Sequence, residues 1–132
     1  MLVDSSVWID FFNTGRSEAV DCLVAAIEGG SRVLVGDVVL AEVLQGFRSD
    51  REFARVLELL APFERIAVID EEVAVLGATY FRQLRARGVT VRGTIDTLIA
   101  TRCIVSGIPL LFGDRDFQPF VDHCGLIPAL PA

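Results

Sequence analysis

Leu2-Val3-Asp4-Ser5-Ser6-Val7-Trp8-Ile9 is the stretch on which the fold of this chain turns. Two apolar residues start a strand, an aspartate closes it, and the serine pair resembles a helix cap ahead of Val7, Trp8, Ile9, Phe11 and Phe12. A strand that runs straight into a helix is the building unit of an α/β fold, and the same unit repeats outward from this one. Ser17 is placed as the cap of a helix with Val20, Leu23, Val24 and Ile27 on one face and Gly29-Gly30 at its end. Arg32 to Val35 then reads as a buried strand, Val38 to Phe47 as a helix, and Asp50 as the cap of a further helix that stops at Pro62. Ile66 to Ile69 reads as a strand, and Asp70-Glu71-Glu72 opens a long helix whose last turns carry Arg82, Arg85 and Arg87 before Gly88. Thr94 is read as the cap of the next helix, Ile108 to Phe112 as a strand, Phe117 to Val121 as a short helix and Leu126-Ile127 as a last strand. Short unalternated apolar strands separated by helices predict a parallel sheet of about five strands covered on both faces. Ligands of such sheets bind beyond the carboxyl ends of the strands.

The chain has 132 residues, 52% hydrophobic and 23% charged, which suits a single folded domain over residues 1–132. Apolar runs such as Val38 to Ala41 fall far short of the roughly 18–20 residues that span a bilayer, and the opening residues lack the pattern of a secretory leader. A cytoplasmic protein without membrane contact is expected. Cys22, Cys103 and Cys124 form no Cys-x-x-Cys pair and suggest neither disulfides nor a zinc knuckle. All 12 basic residues are arginines, so Schiff-base chemistry, the Gly-Lys-Ser/Thr phosphate loop and lysine-assisted phospho-aspartate sites are excluded. A net charge of −6 offers no general attraction for nucleic acid, so any such contact must come from local arginines.

Four acids fall at or near the predicted ligand-binding edge: Asp4, Glu42, Asp96 and Asp114. Asp4 and Asp114 also suit turns or caps, and Asp96 suits the positive end of its helix. Glu42 is different, because it sits between Ala41 and Val43 on a helix that reads as mostly buried, where an unpaired carboxylate is disfavoured. Either an arginine or a divalent cation should compensate it. Carboxylates gathered in one cleft repel one another, and a hard, oxygen-seeking ion such as Mg²⁺ or Mn²⁺ resolves that repulsion.

These residues carry a family resemblance. Asp4-Ser5-Ser6-Val7-Trp8-Ile9, Glu42 within Val39-Leu40-Ala41-Glu42-Val43, Thr94-x-Asp96-x-x-Ile99-Ala100, and Leu110-Leu111-x-x-Asp114-Arg115-Asp116-Phe117 together resemble a PIN domain, more narrowly the VapC toxins of toxin–antitoxin pairs. The resemblance implies a single PIN-like α/β domain with one acidic pocket holding Mg²⁺ or Mn²⁺. It further implies a metal-dependent endoribonuclease toxin, hydrolysing RNA phosphodiester bonds with a metal-activated water and held in check by a VapB-type antitoxin. Asp4, Glu42, Asp96 and Asp114 match the family's acidic quartet as catalytic and metal-binding residues, and Asp116 is a second candidate for the last metal position. Ser6 matches a small hydroxyl position beside the first aspartate, suited to holding a carboxylate or a metal-bound water. Gly113 departs from the polar residue many relatives have there.

Phosphodiester hydrolysis with these residue types needs no side-chain nucleophile, since a carboxylate-held ion both activates water and offsets the developing charge. In-line attack by water leaves a 5′-phosphate and a 3′-hydroxyl. Arg48, Arg51, Arg92 and Arg115 are candidates to contact RNA or to form surface ion pairs. His123, the one histidine, has no partner motif that would make it a base. Phe11, Phe12, Phe47 and Phe53 suggest more aromatic surface than one small core buries, as in a homodimer with a groove for a partner helix and a toxin–antitoxin hetero-oligomer. The competing reading is a catalytically inactive PIN-like module that binds a metal or a protein.

Overall fold

The computed structural model describes residues 1–130. The last two positions of the expected domain, 131 and 132, lie outside the described residues. The chain runs β1 (Leu2–Val3), α1 (Ser5–Phe12), α2 (Glu18–Glu28), β2 (Leu34–Gly36), α3 (Asp37–Gln45), α4 (Asp50–Leu60), β3 (Glu64–Ile66), α5 (Glu71–Ala86), α6 (Thr94–Ser106), β4 (Leu110–Leu111), a single 3₁₀ turn (Arg115–Phe117) and α7 (Gln118–Cys124). The strands form one four-stranded sheet in the order β3-β2-β1-β4, parallel throughout, with Leu2 opposite both Leu34 and Leu110.

This order fixes where the helices lie. The steps β1 to β2 and β2 to β3 move one way across the sheet and the step β3 to β4 returns past β1. Right-handed crossovers therefore place α1 to α4 on one face and α5 and α6 on the other. The direction of travel reverses between β1 and β4, and the crevice beyond that reversal is the natural ligand site of such a sheet. Leu2, Val3, Leu34, Val35, Leu110 and Leu111 are buried, as strands covered on both faces require. Among the described residues no helix is long and apolar enough to cross a membrane.

Several boundaries differ from the sequence reading. The expected strand at Leu126-Ile127 is reduced to one parallel bridge between Leu110 and Pro128, flanked by the bonds Leu110 N–H to Ile127 O and Ala129 N–H to Leu110 O, both 2.9 Å. Pro128 has no N–H with which to extend the ladder. The strand expected at Ile66 to Ile69 is displaced to Glu64–Ile66, an edge strand with two exposed charged residues. There Glu64 takes a bidentate 2.7 Å pair from Arg32, and Val68 N–H turns away to Asp37 Oδ1 at 3.0 Å. The caps shift by one residue: Asp4 caps α1 in place of Ser5-Ser6, Ser49 caps α4 in place of Asp50, and Gly93 stands in the cap position of α6 in place of Thr94.

The phenylalanines are also more self-contained than expected. Trp8 is fully buried and packs on Phe11, Phe12 and Phe63 with ring centroids 6.1, 6.0 and 5.2 Å away. Phe47 joins through Phe12 at 6.3 Å. Only Phe53 of the expected interface set stays open, 42% exposed on α4.

Candidate active site

β1 ends at Val3 and Asp4 follows directly, with its N–H still donating to Leu111 O of β4 at 2.9 Å. That bond sits at the topological reversal, and it points the Asp4 carboxylate into the crevice where it caps α1. The Ser6 N–H donates to Asp4 Oδ2 at 3.4 Å and the Ser6 hydroxyl donates to the same oxygen at 2.6 Å. Ser6 therefore holds the carboxylate in one rotamer. Asp114 follows β4 and accepts the Asp116 N–H at 2.8 Å, capping the 3₁₀ turn that carries Asp116. Asp96 lies in the first turn of α6 and Glu42 lies on α3.

Electrostatics tie the five together. Burial pushes the Asp96 carboxyl up to about 6, and Asp4, Asp114, Glu42 and Asp116, in that order, push it the same way. Asp4 is likewise raised to about 6, mainly by burial, with the Ser6 hydrogen bond opposing and Asp114 reinforcing the shift. The five acids singled out in the sequence thus share one neighbourhood around Asp96. They do not close into a preformed ligand set, since no group of three or more His, Cys, Asp or Glu side chains stands in ligating range among the described residues.

Of the two compensations the sequence left open for Glu42, the structure shows no arginine pair among the described residues. The Glu42 Oε1 is buried without a hydrogen-bond partner. Among the described residues the ion pairs are Arg32–Glu64 and Arg102–Asp70, so no arginine neutralises it. An orphaned carboxylate oxygen near enough to Asp96 to raise its carboxyl fits a divalent cation of the Mg²⁺ or Mn²⁺ class. Arg48, Arg51, Arg92 and Arg115 are exposed and unpaired within the described residues. His123, in the last turn of α7, lines a separate hollow with Gln83, Arg87 and Cys124 that includes none of the acids.

The raised carboxyls have a consequence for the metal-free chain. Folded Asp4 and Asp96 keep protons between about pH 4 and 6 that the unfolded chain has released, so folding is favoured at the acid end and this contribution is lost as pH rises through about 6. For buried Asp4 a rise from 3.8 to about 6 amounts to about 3 kcal/mol. In the presence of a chelator, urea denaturation is expected to give a higher stability at about pH 5 than at about pH 7.5 relative to an Asp4→Asn chain measured alongside. An equal pH dependence in the two chains would refute this.

A profile of the PIN domain family matches residues 1–120. Ribonuclease VapC1 of Methanocaldococcus jannaschii is 30% identical over 110 residues, 83% of this chain and 72% of that protein. Similar folds occur in VapBC2 of Rickettsia felis bound to a promoter DNA fragment, with a TM-score of 0.76 at 16% identity over 96% of this chain and 95% of that one. A toxin–antitoxin complex from Klebsiella pneumoniae gives a TM-score of 0.69 at 17% identity, covering 99% and 98% of the two chains. VapBC-1 of nontypeable Haemophilus influenzae gives 0.71 at 16% identity, covering 96% and 93%.

Proposed function

This chain belongs to the PIN domain family, and from that premise we propose that it is a Mg²⁺- or Mn²⁺-dependent endoribonuclease of the VapC kind, the toxin of a toxin–antitoxin pair. The observation that carries this reading is the neighbourhood of Asp96, whose carboxyl is pushed up first by burial and then by four surrounding carboxylates, with no arginine paired to any of them among the described residues. Five acids gathered in a partly buried crevice repel one another, and a divalent cation would offset that cost.

Asp4, Glu42, Asp96 and Asp114 would hold the ion, with Asp116 placed to share the position of Asp114. When bound, such an ion supplies Lewis acidity toward a phosphoryl oxygen and a water acidic enough to react near neutral pH. The chain's own part is to fix geometry. Ser6 locks Asp4, the 3₁₀ turn sets Asp114 and Asp116 two residues apart, and Glu42, with one oxygen free, orients the attacking water. Cleavage in line leaves a 5′-phosphate and a 3′-hydroxyl.

The reading includes a VapB-type antitoxin as inhibitor. It also includes pairing of the chain with a second copy in a toxin–antitoxin hetero-oligomer. Phe53 and Leu57, 42% and 41% exposed four residues apart on α4, supply apolar surface for an antitoxin. The test of the enzyme is incubation of the purified chain, free of antitoxin, with total bacterial RNA plus Mg²⁺ or Mn²⁺, followed by mapping of new 5′ ends. Discrete cuts bearing 5′-phosphates and abolished by chelator are expected. Intact RNA with both ions and a folded chain would overturn the reading in favour of a non-catalytic binding module.

A further inference from the structure

A cavity of about 440 Å³ opens beside Asp114, built where the start of α2, the segment after β4, α7 and the residues around Pro128 meet. Its volume lies within the range of small-molecule sites, roughly 300–1,000 Å³. Asp114 belongs both to this cavity and to the carboxylate crevice, so anything seated in the cavity lies next to the reacting centre.

Its lining is apolar at Ala19, Phe112 and Val121 and polar at Glu18, Arg115 and Gln118, all three of them exposed. Apolar side chains with hydrogen-bonding groups beside them complement an unpaired nucleobase, which has two apolar faces and a hydrogen-bonding rim. Arg115 is free to serve, since it forms no ion pair among the described residues although aspartates flank it. Gly113 also lines the cavity, and a Cβ there would meet only Ala19 Cβ, at 3.8 Å, so a side chain at this position would take up some of the space.

A chain of net charge −6 with an acidic crevice offers the phosphate backbone only its local arginines, so contacts to the bases would add affinity that the electrostatic term supplies weakly. We propose that this cavity seats one unpaired base flanking the scissile phosphate, with Glu18 and Arg115 reading its edge, and that it sets the sequence preference of cleavage. This rests on the ribonuclease reading above. Glu18 only accepts hydrogen bonds, so it selects bases that offer an amino or imino donor.

The test uses single-stranded RNA of randomised sequence, cut by the full chain with Mn²⁺ and sequenced at the new 5′ ends. The wild-type chain is expected to favour particular bases at one position flanking the cut. Val121→Phe, which fills the cavity, should lower that preference by at least about fivefold, the low end of what one stacked base contributes. Glu18→Gln should change which base is favoured, and because Glu18 is exposed this variant carries the test if Val121→Phe fails to fold. In parallel, binding of fluorescein-labelled RNA hexamers of mixed sequence is measured on Asp96→Asn chains with and without Val121→Phe, where a loss of at least about fivefold is expected. Cutting with the same flanking preference in wild type and both variants overturns the base pocket and leaves the ribonuclease standing. Binding that Val121→Phe weakens, in a chain whose wild type never cuts, keeps the pocket and overturns the ribonuclease.

Discussion

Asp96→Asn is expected to lower the rate of metal-dependent RNA cleavage by at least about 100-fold, the scale on which removal of one charge-stabilising group acts in a preorganised site. The substitution is nearly isosteric, so the first turn of α6 keeps its shape and the loss is one of charge. Asp96 is the acid that feels Asp4, Asp114, Glu42 and Asp116 together, which puts it at the centre of the carboxylate cluster. The same change relieves the metal-free chain of like-charge repulsion, so its thermal midpoint should hold or rise while activity collapses. Single-turnover cleavage at saturating Mn²⁺, with a melting curve on the same sample, checks both halves. A loss of less than tenfold would remove Asp96 from the machinery.

Trp8→Ala is expected to cost about 3–5 kcal/mol of stability. That is a large part of the roughly 5–15 kcal/mol that holds a domain of this size together. Trp8 is fully buried, and three aromatic rings, two from its own helix and Phe63 from the loop before β3, close on it. The void left by an alanine faces rigid rings that cannot collapse into it. Its indole N–H is buried without a partner, so Trp8→Phe removes an unsatisfied donor along with some packing and should cost much less than the alanine change. Urea denaturation of the two variants measures the difference, and equal losses would refute the argument.

The gathering of the acids in one neighbourhood was legible in the sequence because most of them stand at strand ends and helix starts, positions that hydrophobic patterning locates well. Glu42 was legible for a different reason, as a charge on an otherwise apolar stretch, and its free oxygen is the structural counterpart of that conflict. Caps were less legible. Asp4, Ser5 and Ser6 are all competent caps, and the choice of Asp4 depends on the single extended residue before α1, which is set by the hydrogen bond to Leu111. Gly93 precedes α6 with no side-chain cap bond at all, so no cap signal could have marked it. The shift of β3 was hidden because Glu64 and Arg65 are charged and break the apolar pattern of a buried strand, whereas at a sheet edge charged residues are tolerated and Arg32 anchors one of them. The cavity beside Asp114 joins the start of α2 to the stretch from Phe112 to Leu130, and only the assembled fold brings the two together.

β1 is two residues long, paired as Leu2 with Leu110 and Val3 with Leu111. A slip of one residue in that pairing would turn every side chain of the strand to the opposite face and carry Asp4 out of the crevice. A molecule misaligned in this way could recover its helices and much of its apolar contact, and by circular dichroism it would pass for native. On the proposed cation reading its metal uptake would not. Divalent-ion binding per mole of refolded protein would then count the molecules whose central strands are aligned, a quality gauge for preparations recovered from denaturant.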